Sequence, residues 1–168
     1  MEGWDGPSYA EARRIGEGAK YPPDGKRGTA WAGAHDDYTG GDMAEKIRSA
    51  NDEGLVIAQI ESVAGLDAVD HIAAVDGVDV LWIGHFDLTT SMGIPGEFEH
   101  DRYKAAVDSV LNACARHGKA PGFMAGSVEQ GTALIEQGFR CLAYSRDSVL
   151  YRNALAEGIS GLRGSSAR

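Results

Sequence analysis

The sequence has few cysteines and no long apolar run, and each shortage excludes a class of protein. Its two cysteines, Cys114 and Cys141, match no metal-binding or redox spacing. We expect both to be buried, reduced thiols that pack as small hydrophobic side chains. No stretch reaches the roughly 18 apolar residues of a transmembrane helix, and the first residues lack the basic start and apolar core of a secretory signal. We therefore expect a cytoplasmic protein with no membrane partner.

Basic residues are also scarce, because 16 Lys and Arg face 25 Asp and Glu, for a net charge of −9. This balance argues against nucleic acid or anionic lipid as a partner, since both require a basic surface. The hydrophobic share of 43% and the charged share of 24% are typical of a globular protein. The length predicts one domain over residues 1–168, with a small, polar and flexible tail at 164–168.

Glycine is the abundant residue, with 23 of 168 positions, and it stands mostly at the ends of periodic segments. Apolar runs predict four strands, and the first two are near-continuous in Val, Ile, Leu and Trp, as in parallel strands covered on both faces. The strands are predicted at 55–60, 78–83, 120–125 and 139–144. Helical periodicity predicts helices at 8–20, 42–51, 64–74, 102–117, 127–137 and 147–157, with a long loop over 21–41.

The alternation of strand and helix predicts an α/β fold with a parallel sheet built from βαβ units. A doubly wound sheet normally carries a glycine-rich phosphate loop after its first strand, and neither GxGxxG nor GxxxxGK[ST] occurs here. A (β/α)₈ TIM barrel needs eight units and about 250 residues. The four predicted units therefore favour half of such a barrel.

Two carboxylates follow the first two predicted strands. Glu61 comes directly after the first, and Asp87 follows the second a few residues later. Active sites of barrels lie at the carboxyl ends of the strands, and neighbouring strands are about 4.8 Å apart. The pair is typical of a site for a hard divalent cation with open water positions. The spacing fits equally well two solvated acids that cap the strand ends, so both interpretations are open on spacing alone.

Five short motifs stand out along the chain, namely YPPDGKRG at 21–28, QIE at 59–61, GHFDLT at 84–89, MG at 92–93 and GKAPG at 118–122. In their order and spacing, these motifs resemble the HpcH/HpaI-type family of metal-dependent pyruvate aldolases. The similarity extends from about residue 10 to residue 155.

The resemblance implies a (β/α)₈ barrel and a divalent metal, commonly Mg²⁺, Mn²⁺ or Co²⁺. It implies a lyase that reversibly cleaves a 4-hydroxy-2-oxo acid to pyruvate, or a related 2-oxo acid, and an aldehyde. Glu61 and Asp87 correspond to the family's metal-binding carboxylates. The backbone N–H groups of Phe86 and Asp87 correspond to those that bind the pyruvate carboxylate. Gln59 corresponds to a polar residue beside the metal, and Met124 to an apolar wall residue.

His85 departs from the commoner family wording, which has proline at this position. We expect it either to contact substrate or a metal-bound water, as a candidate catalytic residue, or to serve only as a turn residue. The resemblance covers strands five to eight of the family barrel, so the family's catalytic histidine and enolate-stabilising arginine have no counterpart here. The chain is then expected to be a fragment of an enzyme, a half that assembles with other chains, or a non-catalytic binding module. Open strand edges predict a homo-oligomer.

Overall fold

The computed structural model describes residues 9–165, and its α/β architecture confirms the predicted alternation of strands and helices. The strands are β1 (Ile57–Ile60), β2 (Val80–Ile83), β3 (Ala120–Ala125) and β4 (Cys141–Tyr144). The helices are α1 (Tyr9–Ala19), α2 (Met43–Glu53), α3 (Val63–Asp67), α4 (Val69–Ala73), α5 (His85–Ser91), α6 (Asp101–His117), α7 (Val128–Glu136) and α8 (Asp147–Ser165). Within residues 9–165, no helix combines the length and the apolar character that crossing a membrane requires.

The four strands form one sheet in the order β1-β2-β3-β4. β1 and β2 are parallel, with Ile57 opposite Val80 and Ile60 opposite Ile83. β2 and β3 are also parallel, and Trp82 lies opposite Gly122. A parallel sheet brings the carboxyl ends of its strands to one edge, which is where the predicted site residues follow β1 and β2.

The chain forms two compact units, with the boundary after Gly122. In the first unit the core is built from fully buried aliphatic side chains of β1, β2, α4 and α6. They include Ile60, Ile72, Leu81, Ile83 and Val110. In the second unit Phe123 and Phe139 pack edge to face, with ring centroids 5.6 Å apart. The expectation of a single domain stays a prediction.

A long loop between α1 and α2 is held by polar contacts within the first unit. Buried Asn51 accepts a hydrogen bond from the Tyr21 N–H at 2.7 Å and donates to the Tyr21 carbonyl at 3.0 Å. Asp36 binds the Lys46 ammonium at 2.9 Å. That hydrogen bond, followed by one from the Ala32 N–H, lowers the pKa of Asp36 to about 2. The loop is therefore ordered by side-chain bonds to α2, with a short 3₁₀ turn at Ala34–Asp36.

Burial of β1 differs from the prediction. Its residues alternate between exposed and buried, and Ile57 is 46% exposed. β1 is the first strand in the order of the sheet, so the expectation that it is covered on both faces is wrong for this chain. β2 fits the expectation better, because Val80, Leu81 and Ile83 are buried.

Several predicted boundaries also differ. The strand expected from residue 55 begins at Ile57, because the Val56 N–H binds the Asp79 side chain at 2.8 Å. The helix expected over 64–74 is two short helices, since Ala68 leaves the helical conformation with φ −94° and ψ 3°. The strands expected from 78 and 139 begin at Val80 and Cys141.

The C-terminal part shows two further corrections. α8 continues to Ser165, so the start of the expected flexible tail at 164–168 is helical, and residues 166–168 lie outside the described part of the chain. Cys114 is buried as expected, whereas Cys141 is only half-buried.

Candidate metal and substrate site

The end of β1 presents two polar side chains to one side. Gln59 is an exposed residue of the strand, and Glu61 follows the strand directly and is half-buried. The Gln59 amide Nε2 donates a hydrogen bond to Glu61 Oε2. Immediately after Glu61, the Ser62 hydroxyl accepts the Gly65 N–H at 3.0 Å and begins α3. The carboxylate therefore projects from a turn whose two flanks are both defined by hydrogen bonds.

Gly84 brings the end of β2 into contact with this carboxylate. Its N–H donates to the Ile60 carbonyl at 3.0 Å, which extends the β1–β2 pairing past the strand ends. A Cβ placed on Gly84 would lie 2.7 Å from Glu61 Cβ and 3.1 Å from Glu61 Oε2. It would also lie 3.0 Å from Gln59 Nε2. Real Cβ atoms do not approach other carbons this closely, so only glycine allows the two chain segments to meet here.

Asp87 lies in the first turn of α5, which begins directly after Gly84. The prediction placed it at a strand end, and the structure corrects this to a seven-residue helix that the sequence pattern did not reveal. Gly84 is the N-cap and offers no side chain to the helix. The N–H groups of the first helical turn have no acceptor within a helix, and those of Phe86 and Asp87 belong to this turn.

His85 is held in an aromatic cluster beside the site. The centroid of its ring lies 4.4 Å from the Phe86 ring centroid and 5.4 Å from that of Phe98. The ring centroids of Phe98 and Tyr103 are 5.6 Å apart. Burial lowers the pKa of His85, against the opposing effects of a hydrogen bond with the Ile83 backbone and the negative charge of Asp87. Burial also raises the pKa of Tyr103 to about 12. The cluster favours a neutral imidazole with a defined orientation.

The structure thus brings Gln59, Glu61 and the start of α5 together, and Asp87 lies in the first turn of that helix. Met124 is a half-buried residue of β3 in the second unit, and its role as a wall residue stays a prediction. Among residues 9–165, no group of three or more His, Cys, Asp or Glu side chains is arranged to hold a metal ion. The assignment of Glu61 and Asp87 as metal ligands stays a prediction.

Sequence reasoning missed the importance of Gly84 and of two hydroxyls in α5. Thr89 is fully buried, and its hydroxyl lies 2.9 Å from the His85 carbonyl and accepts the Gly96 N–H at 3.1 Å. Ser91 accepts the Val63 N–H at 3.1 Å. The position of Gly84 between an apolar run and a polar segment was the available signal for a close approach of two backbone segments. Nothing in the sequence pattern pointed to the partners of the two hydroxyls.

Comparison with known proteins identifies relatives of this chain. The sequence model of the HpcH/HpaI aldolase/citrate lyase family matches residues 8–154. The hydroxypyruvate/pyruvate aldolase of Chromohalobacter salexigens is 34% identical over 162 residues, which cover 92% of this chain and 60% of that protein. The 2-keto-3-deoxy-L-rhamnonate aldolase of Klebsiella pneumoniae is 30% identical, and the matched residues cover 59% of that protein. The chain spans about 60% of the length of these curated relatives.

Solved structures agree with this result. The HpcH/HpaI aldolase of Desulfitobacterium hafniense superposes with a TM-score of 0.83 at 31% identity, covering 93% of this chain and 60% of that one. An HpcH/HpaI aldolase/citrate lyase family protein of Burkholderia cenocepacia gives a TM-score of 0.82, also at 31% identity. The match covers 93% of this chain and 62% of that one. The predicted α/β fold of TIM-barrel type, present in part, is confirmed by these matches.

The close approach at Gly84 yields a test of the site's geometry. We expect Gly84→Ala to lower the free energy of unfolding by about 1–3 kcal/mol, because the added methyl group overpacks the contact with Glu61. Gly18→Ala is the matched control, since nothing lies within 4 Å of a Cβ at this position in α1. This control should raise the stability by about 0.5–1 kcal/mol. Urea denaturation measures both, and a Gly84→Ala protein as stable as the original would contradict the contact.

Proposed function

The chain belongs to the HpcH/HpaI aldolase/citrate lyase family, and from this premise we propose that it supplies the metal and keto-acid site of an aldolase. The proposed reaction is cleavage of a 4-hydroxy-2-oxo acid to pyruvate, or a related 2-oxo acid, and an aldehyde. One observation carries the proposal. Gln59 and Glu61 meet Gly84 at the start of the helix that bears Asp87, within the segment that the family model matches.

The residues at this place fit a divalent metal ion. Glu61 and Asp87 offer carboxylate oxygens, which are the ligands that Mg²⁺ and Mn²⁺ prefer. The Gln59 amide hydrogen-bonds Glu61 and restricts the carboxylate's orientation, as outer-shell partners of metal ligands do. Two protein ligands leave coordination positions for water and substrate. When bound, such an ion supplies Lewis-acid polarisation of the substrate's 2-oxo group.

The chain's own groups would do the remaining work of binding and orientation. We propose that the backbone N–H groups of Phe86 and Asp87 bind the substrate carboxylate, since the first turn of a helix presents unpaired donors. His85 is proposed to contact the substrate or a water at the site, with its ring held by Phe86 and Phe98. Met124 is proposed as an apolar wall residue.

A second candidate is a binding part that needs further residues for turnover. Its support is the exposed face of β1, where Ile57 is 46% exposed although it belongs to a parallel strand. In the family resemblance, the proton-transferring histidine and the arginine near the enolate oxygen have no counterpart in this sequence. General acid–base help is worth about 10²–10⁴-fold in rate. On this reading the chain binds metal and keto acid but turns over slowly by itself.

Metal binding is the first test of the proposed site. We expect one divalent ion per chain, and we expect Glu61→Gln or Asp87→Ala to weaken Mn²⁺ binding by more than the roughly 10–100-fold cost of losing an outer-shell partner. Asp108→Asn is the matched control, because Asp108 is an exposed carboxylate of α6 and has no part in the proposed site. Titration calorimetry measures the affinities. Unchanged binding in Asp87→Ala would exclude Asp87 as a ligand.

Pyruvate activation can be measured separately from aldol cleavage. We expect Mg²⁺-dependent exchange of the pyruvate methyl protons in deuterated water, followed by NMR, while cleavage by the chain alone is slower by several orders of magnitude than in a complete aldolase. His85→Asn should slow the exchange, and His71→Asn, at an exposed position of α4, should not. Equal exchange rates in the two variants would remove His85 from the reaction. Full aldolase turnover by this chain would refute the second candidate.

Self-association follows from the exposed apolar side chains. Tyr151, Leu155, Ile159 and Leu162 recur on one stripe of α8, and Tyr151 and Leu162 are 70% and 73% exposed. We propose that a second copy of the chain covers such surface, since stripes of this kind mark contact sites. Light scattering should give a mass above the 17.8 kDa of one chain. Leu155→Glu with Ile159→Glu should lower the mass, and a monomeric original chain would rule out the proposal.

A further inference from the structure

A single side-chain hydrogen bond connects the turn after Glu61 with the helix that carries Asp87. The Val63 N–H donates to the Ser91 hydroxyl oxygen at 3.1 Å. Val63 is the first residue of α3, and Ser91 is the last residue of α5. The bond therefore spans two elements that are 28 positions apart in the chain.

Ser91 and Asp87 lie on the same face of α5. They are four residues apart within one helix, and residues at this spacing are neighbours on the helix surface. The face of α5 that is tied to the turn after Glu61 is consequently the face that carries Asp87. The two carboxylate-bearing segments are thus joined by a direct bond in addition to the sheet.

Glu61 is enclosed by two cross-links between the same pair of segments. One residue before it, the Ile60 carbonyl accepts the Gly84 N–H at 3.0 Å. Two residues after it, the Val63 N–H reaches Ser91. The first bond joins the start of α5 to the turn, and the second joins its end. The two bonds therefore hold both ends of α5 to the segment that carries Glu61.

The opposite side of α5 is fixed by Thr89. This side chain is fully buried, and its hydroxyl accepts the Gly96 N–H at 3.1 Å. Its carbonyl accepts the Ile94 N–H at 2.9 Å. Thr89 therefore anchors α5 to the segment that follows it. The helix that carries Ser91 toward the end of β1 is fixed by these bonds.

We propose that Ser91 is a positioning residue that sets the placement of Glu61 relative to Asp87. This rests on the proposed function, in which these two carboxylates hold the metal. A purely structural role would be limited to satisfying an otherwise unpaired N–H at the start of α3. The two roles differ in one measurable quantity, because only the positioning role couples the hydroxyl to metal affinity.

The test uses the full chain with Mn²⁺ as the probe. Ser91→Ala should weaken Mn²⁺ binding about tenfold, at the lower end of the range for residues that orient metal ligands. Ser91→Thr keeps the hydroxyl and should restore the affinity. Ser109→Ala is the matched control, since the Ser109 hydroxyl is exposed and bonds only the Ala105 carbonyl of its own helix in the described contacts. Hydrogen exchange of the Val63 amide should be faster in Ser91→Ala alone.

The outcomes separate this inference from the proposed function. If the original chain binds Mn²⁺ and Ser91→Ala binds it equally well, the positioning role is wrong while the metal site stands. If Ser91→Thr fails to restore Mn²⁺ binding, or if Ser109→Ala loses as much Mn²⁺ affinity as Ser91→Ala, the Ser91 hydroxyl does not determine the affinity. An unchanged exchange rate of the Val63 amide would also overturn the inference. If the original chain binds no Mn²⁺, the proposed function fails first and the positioning role falls with it.

Discussion

The close approach of two chain segments at the carboxyl ends of β1 and β2 is the constraint on which the site depends. Gly84 has no Cβ, and a Cβ there would lie 2.7 Å from that of Glu61. The parallel pairing of Ile60 with Ile83 sets this distance, and the Gly84 N–H bond to Ile60 maintains it beyond the strands. Because α5 starts at this point, the contact also determines where the helix begins and where Asp87 lies. The β1–β2 register, the absence of a side chain at Gly84 and the start of α5 therefore depend on one another.

The four strands could be predicted from the sequence, whereas α5 could not, and the assignment of Glu61 and Asp87 as metal ligands stays a prediction. β3 matches its predicted bounds of 120–125, because an apolar run bounded by turn residues is visible without tertiary information. α5 has seven residues, too few to display a helical period, and it begins at a glycine that provides no capping side chain. The break at Ala68 was equally hidden, since alanine is a good helix former and yet leaves the helical conformation here.

Burial was harder to predict than secondary structure for β1. Its apolar composition is typical of a strand covered on both faces, yet Ile57 and Gln59 are exposed. The apolar composition of β1 is typical of a strand in covered surroundings, whereas its exposure reflects the atoms of this chain alone. The difference between the two marks one face of β1 as a surface that is suited to further contacts. The chain covers about 60% of the length of the related proteins.

The residues proposed to bind metal and keto acid are close in sequence as well as in space. The segment of the first unit from β1 to α5 contains Gln59, Glu61, the start of α5 and the hydroxyl of Ser91. Their arrangement is maintained by contacts inside that segment, namely the Gly84 approach and the Ser91 and Thr89 bonds. We therefore expect the proposed binding geometry to depend little on residues outside this segment. Proton transfer to a departing aldehyde oxygen requires groups placed around the substrate from several directions, so a locally built site is expected to retain binding more readily than turnover.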